Sequence, residues 1–123
     1  MRACVLAEVA MLDPLSDRLN QYMSLLSLRQ QLVASNIANA DTPGYKTKDI
    51  DFESELQNAA TGLQPVVDVV PGLTQKNDGN NVDLDREARL LAENALRFGI
   101  ASNLLRTQLK AVKMAIEGGS TGS

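Results

Sequence analysis

The chain contains no histidine, the side chain that most often moves protons near neutral pH and most often ligates zinc. Hydrolase and metalloenzyme templates built on an imidazole lose a part, and no Ser/His/Asp or Cys/His set can be assembled. Cysteine occurs once, at Cys4, so an intrachain disulfide is excluded and stability has to come from packing or assembly. Aromatic side chains are scarce: Tyr22, Tyr45, Phe52 and Phe98, with no tryptophan. In 123 residues that leaves little bulk for a conventional globular core and favours helices packed along a seam. No apolar run approaches the ~20 residues needed to span a bilayer. Arg2-Ala3-Cys4-Val5-Leu6-Ala7 opens like a signal peptide, but Glu8 and Asp13-Pro14 cut it short, so no cleavage is expected. There is no basic excess either: the formal charge is −3, which gives no general attraction to nucleic acid or an anionic membrane.

What the chain does have is two long amphipathic patterns. The first spans residues 13–40, where Asp13 serves as N-cap and Pro14 takes the first helical position. Leu12, Leu19, Leu26, Val33 and Ala40 recur at every seventh residue, and Leu15 and Tyr22 widen the stripe, as a supercoiled seam requires. Leu25, Leu28 and Leu32 form a second apolar strip that the same partner cannot cover. From Leu19 to Ala40 the only charged residue is Arg29, too few for a helix bathed in water, which implies burial by neighbouring copies or partner subunits. The second pattern spans residues 83–117. Asp83 is its N-cap, Asp85 and Glu87 place negative charge in the first turn, and Lys110 and Lys113 place positive charge near the end. Its seam is Leu84, Leu91, Phe98, Leu105 and Val112, joined by Leu109 and Ile116 on a second set of rungs with Ala88, Ala95 and Ser102. Leu96, Ile100, Leu104 and Met114 lie off that seam.

Between the patterns, Asn36-Ile37-Ala38-Asn39 runs into Thr42-Pro43-Gly44-Tyr45-Lys46. Pro43 disfavours helical geometry at Thr42 and Gly44 permits positive φ, so helix one ends there and the chain turns. Asn36 and Asn39 share one face of the last turn. Two readings stand side by side: ordinary capping by Asn39, or carboxamides that lock the departing loop. Beyond the hinge, Ile50 and Phe52 alternate with polar residues, residues 53–60 suit a short helical turn, and the valine-rich residues 66–70 read as a strand able to pair with residues 47–52. Such a hairpin is marginal in water without something packed against it.

The fold class read from these residues is mainly α: two long terminal amphipathic helices forming a coiled-coil-like hairpin, with a small extended, β-containing middle at 41–82. Residues 1–12 are expected to be a poorly ordered extension and 118–123 a flexible tail. Asp78-Gly79-Asn80-Asn81-Val82-Asp83-Leu84-Asp85 has the oxygen-rich look of a calcium loop. Aligning Gly79 with the loop's glycine, however, puts Thr74 and Lys76 where the first carboxylates belong, so a turn followed by an N-cap is the better account. Arg97, Arg106, Lys110 and Lys113 make the second half of helix two cationic, yet no aromatics interleave for base stacking. The residues advertise no catalysis, metal or cofactor.

The hinge motif, Asp49-Ile50-Asp51-Phe52 and Gly79-Asn80-Asn81-Val82-Asp83-Leu84-Asp85-Arg86-Glu87 together resemble the flagellar axial proteins, most closely the short proximal rod (FlgB) family. The similarity runs over about residues 11–116, and the large inserted domain of distal rod and hook proteins has no counterpart. The resemblance implies a structural subunit of the bacterial flagellar basal body, polymerising through its terminal helices into the periplasmic rod that transmits torque. It also implies export through the flagellar type III apparatus without a cleaved signal, with other copies, other rod proteins and the ring-rod junction protein as partners. Phe52-Glu53-Ser54-Glu55-Leu56 is similar to the aromatic-x-x-x-aliphatic element read by the export gate; an amphipathic turn packing Phe52 and Leu56 is the plain alternative. Residues 1–10 depart from the family pattern, since such proteins typically begin near Met11. The competing class is a helical-hairpin adaptor or chaperone that satisfies both seams in a discrete dimer.

Overall fold

The computed structural model describes residues 2–121, with side-chain surroundings for residues 2–4 and 14–118; Met1, Gly122 and Ser123, the ends of the expected extension and tail, lie outside the described residues. Helix α1 runs Arg2–Ala38, strand β1 Lys48–Ile50, helix α2 Phe52–Asn58 with a 3-10 turn at Ala59–Thr61, strand β2 Val67–Val69, and helix α3 Leu84–Thr121. α1 and α3 pack as an antiparallel hairpin, with Asn36 bonded to Glu87 at one end and Gln30 to Asn94 farther along. β1 and α2 lie against α1, and β2 pairs with β1.

α1 begins earlier than the expected residue 13 and stops at Ala38, two residues short of residue 40, while α3 runs past residue 117. α1 begins at Arg2, so Pro14 sits inside it instead of opening it, and the residues expected to form a poorly ordered extension are helical. The upstream run Leu6-Ala7-Glu8-Val9-Ala10-Met11-Leu12 is rich in strong helix formers, and a proline removes only its own amide bond while crowding one carbonyl a turn earlier. α3 continues through Gly118 to Thr121, beyond the expected end at residue 117, because glycine weakens a helix without sterically barring it. Asp83 caps α3 as expected, its Oδ1 accepting from the amides of Asp85 and Arg86 at 3.0 and 3.3 Å.

The strands pair antiparallel with Lys48 opposite Val69, Asp49 opposite Asp68 and Ile50 opposite Val67. Ile50 is buried while Val67 and Val69 stay exposed, so only β1 reaches the helical core. α2 starts where Asp51 accepts from the Ser54 amide and hydroxyl.

The hairpin is not closed seam to seam. On α1 the heptad seam does turn inward: Leu26 and Val33 are each 1% exposed, Ala40 is buried, and Leu19 is half-buried. On α3 the covered positions are Glu87, Asn94 and Ala101, also seven apart but three residues out of register with Leu84, Leu91 and Phe98. Those three, with Leu109 and Ile116, are exposed, and Leu105 and Val112 are half-buried. Pairing of the charged residues favours this rotation, although the buried Asn94 Oδ1 has no partner. Glu87, Asn94 and Arg86 find partners on α1 and β1, and an unpaired buried carboxylate would cost more than a leucine left partly wet.

Candidate functional site

Asn36 lies on the last turn of α1 and is 1% exposed. Its Nδ2 donates to the Lys48 carbonyl at 2.8 Å and to Glu87 Oε2 at 3.2 Å. Its Oδ1 accepts from the Tyr45 hydroxyl at 3.0 Å and the Lys48 amide at 3.1 Å. One carboxamide thus uses both donors and both acceptor positions to join α1, the hinge, β1 and α3. Asn39, one turn on, does the local work: its Nδ2 donates to the Ser35 carbonyl at 2.8 Å and its Oδ1 accepts from the Thr42 hydroxyl at 3.1 Å. Asn36 thus bonds to the departing chain and to α3, and Asn39 within its own turn.

The hinge itself is anchored by the turn before α3. Gly44, at φ +74°, donates its amide to the Asp78 carbonyl at 2.9 Å. Gly79, at φ +88°, comes so close that a Cβ added there would stand 3.3 Å from the Gly44 Cα. Asn80, fully buried, donates through Nδ2 to the carbonyls of Asn39 and Thr42 at 2.8 and 2.9 Å, a second bond to each beside those from the turn amides of Thr42 and Tyr45. Asn81 Oδ1 accepts from the Thr47 amide at 2.7 Å, and the Lys46 ammonium reaches the Gly79 carbonyl at 2.6 Å. Thr42, Pro43 and Gly44 are exposed and Tyr45 is half-buried, so the expected hinge residues are brought together on one corner of the molecule.

Behind this corner lies a charged layer. Arg29, the lone charge of the inner half of α1, forks onto Asp49 with Nε to Oδ1 at 3.1 Å and Nη2 to Oδ2 at 3.0 Å. Arg86 bridges Asp49 Oδ2 and Glu87 Oε1, both at 2.7 Å. Burial pushes the Asp49 carboxyl up, but hydrogen bonds from Arg29, the Ile50 amide and Arg86, with the arginine charge, outweigh it and hold the group below the usual carboxylate range. These arginines also offset the repulsion of Asp68 set directly across the ladder from Asp49.

Phe52 packs edge-on against Tyr22 with centroids 5.4 Å apart, and the guanidinium carbons of Arg29 and Arg97 stand 5.9 and 5.8 Å from its centroid. Leu56 lines a groove of ≈ 340 Å³ with Leu15, Leu19, Tyr22, Ile100 and Leu104. In the folded chain Phe52 and Leu56 thus both stand beside Tyr22 of α1. The sequence pattern marks Asn80 and Asn81 as part of a turn and Glu87 as a first-turn charge, and does not reveal that all three are buried. The signal available was an Asn-Asn pair followed by Glu87 on a helix face whose other members include Ala101.

Among the described residues no cluster of His, Cys, Asp or Glu has a metal-binding arrangement, and no helix is long and apolar enough to cross a membrane. The corner is built from amide and charge pairing.

Residues 23–46, which include Asn36 and the whole hinge, match the family model described as flagella basal body rod protein. Over 89% of its length the chain is 35% identical to the flagellar basal body rod protein FlgB of Salmonella typhimurium, covering 100% of that protein. It is 33% identical to FlgB of Borrelia hermsii over 82% of this chain and 94% of the relative. With FlgB of Escherichia coli K12 it shares 33% identity over 89% of this chain and 100% of the relative.

Proposed function

The chain belongs to the FlgB family of flagellar basal body rod proteins, a structural family and not one of enzymes, and from that membership we propose that it polymerises through α1 and α3 into the proximal rod, a shaft that carries torque through the periplasm. As a basal body rod protein it assembles with other rod components. The proposal adds the ring-rod junction protein as a neighbour and the flagellar type III apparatus as the exporter of an unfolded chain with no cleaved signal.

The observation that supports polymerisation is the orientation of α3. Its polar edge is spent on α1, and Leu84, Leu91, Phe98, Leu109 and Ile116 remain exposed along one side. A run of that extent on a single helix marks a surface meant for a protein partner. The locked corner supports a mechanical role, since it joins both helices and the middle segment through short hydrogen bonds instead of a flexible loop. Phe52 and Leu56 are proposed as the element read at the export gate; their packing against Tyr22 and the groove agrees with reading before folding.

Deletion of the chain in its own motile bacterium tests the reading. Basal bodies are expected to stop at the membrane ring without a rod, and restoring the wild-type chain is expected to restore rods and swimming. Complete rods in the deletion strain, seen by electron microscopy of purified basal bodies, would overturn it.

A further inference from the structure

The two ends of the folded chain are opposite in charge and both incompletely covered. Residues 41–83 hold eight carboxylates against three lysines. Among them Asp51, Glu53 and Asp68 are exposed, Asp51 and Asp68 line one recess, and Leu63, Val66, Val67 and Val69 stand exposed around them. This middle segment covers only the part of the hairpin near the hinge, through Phe52 on Tyr22 and Asp49 on Arg29 and Arg86.

The far half of α3 has no such cover. Arg106, Lys110 and Lys113 are exposed at i, i+4 and i+7, which puts them on one stripe. Leu109 and Ile116 border the stripe on one side and Met114 on the other, at 58%, 55% and 65% exposure. Arg97, a half-buried residue paired with Glu93, lies on a different face, so the cationic stripe is these three residues. Glu117 pairs with Lys113 at 3.9 Å on a fully wet surface, which leaves the stripe net positive. At ~1.5 Å per residue, residues 101–118 run about 25 Å, with Ala101 buried and Leu105 and Val112 half-buried on one side and the stripe open on the other, enough to seat a small segment.

We propose that the cationic, apolar-bordered stripe of α3 docks onto the acidic, valine-rich middle segment of a second copy, so that successive copies join head to tail. The proposal rests on the reading of the chain as a polymerising subunit and assigns the two surfaces that meet. A heterologous contact of this kind leaves an unused stripe at one end and an unused acidic face at the other, and so propagates instead of closing. Charge complementarity fixes the direction and speeds encounter, while Leu109, Met114 and Ile116 against Val66, Val67 and Val69 exclude water from the centre.

Charge exchange tests it with the full-length chain. Sedimentation velocity across a concentration series is expected to show open-ended association in about 0.05 M NaCl that weakens at least about tenfold in about 0.5 M NaCl. Lys110→Glu with Lys113→Glu, and separately Glu53→Lys with Asp68→Lys, are each expected to weaken association by about tenfold or more. An equimolar mixture of the two is expected to recover it, because the altered stripe of one variant now matches the altered middle segment of the other, while their two unaltered surfaces still match each other. The milder pair Lys110→Gln and Lys113→Gln, and Glu53→Lys alone, serve if a double reversal disturbs the helical circular dichroism. A monomer at every concentration, a closed dimer, salt-insensitive association, or a mixture no stronger than its components would each overturn the proposal. In the deletion strain, wild-type rescue together with normal rods from both charge-reversed variants would overturn these surfaces and leave the rod reading standing. Failure of the wild-type chain would overturn the rod reading itself.

Discussion

Asn36 shows how far one side chain can reach. Its carboxamide is saturated by partners from the hinge, β1 and α3, and the carboxylate it meets, Glu87, is itself fully buried and held by Arg86. Beside it, Asp49 carries the charge balance of the joint. Its folded carboxyl titrates below the ordinary range, so its contribution is complete above about pH 4 and fades as pH falls through the lowered folded value. Asp49→Asn is expected to lower stability by about 3 kcal/mol at neutral pH, because Arg29 and Arg86 lose their shared carboxylate while largely covered. Urea titrations at stepped pH would check the sign: the gap between wild type and variant should be widest near neutrality and narrow below about pH 4. A constant gap would mean that the aspartate acts by shape alone.

At the scale of elements, the turn after α1 and the turn before α3 behave as one part. Gly44 and Gly79 both take positive φ, their backbones pass within side-chain distance, and Asn80 ties the second turn to the carbonyls of the first. Replacing Pro43-Gly44 by Ala-Ala forces an alanine into left-handed geometry at residue 44, at about 1–2 kcal/mol. For a domain near this size a thermal midpoint lower by roughly 4–8 °C is expected. Secretion, which uses the unfolded chain in the proposed scheme, should suffer less than rod assembly. Fractionation of secreted protein alongside motility in soft agar would separate the two, and normal motility would remove the special role of the hinge.

The whole molecule is a hairpin dressed at one end and bare at the other. Near the hinge, α1 and α3 are bridged by buried amides and ion pairs, whereas beyond Ala101 the large apolar residues Leu104, Leu109, Met114 and Ile116 are at least half exposed. Isolated helices depend on packing for most of their stability, so protection should fall along the hairpin. Native-state hydrogen exchange on dilute chain is expected to be slow around residues 26–36 and 87–94 and fast from about residue 101 onward, with the slow zone spreading on assembly. Uniform strong protection of both helices in the monomer would contradict the assignment of the bare half to a neighbour.

The sequence by itself determined the mainly helical class, the break at Asn36 to Lys46, the N-cap at Asp83 and the pairing of residues 47–52 with the valine run. Each depends on local chemistry or on a periodicity that any partner would have to respect. Only the tertiary structure decided which face of α3 turns inward, because apolar periodicity favoured Leu84, Leu91 and Phe98. The outcome followed from where Glu87, Asn94 and Arg86 found partners on elements more than 35 residues away. It also decided that Asn36 and Asn39, identical in chemistry and three residues apart, do different work: one faces a strand and a buried glutamate, the other only its own turn. Pairings of that kind are set by the meeting of distant segments, which a pattern read along one chain does not contain.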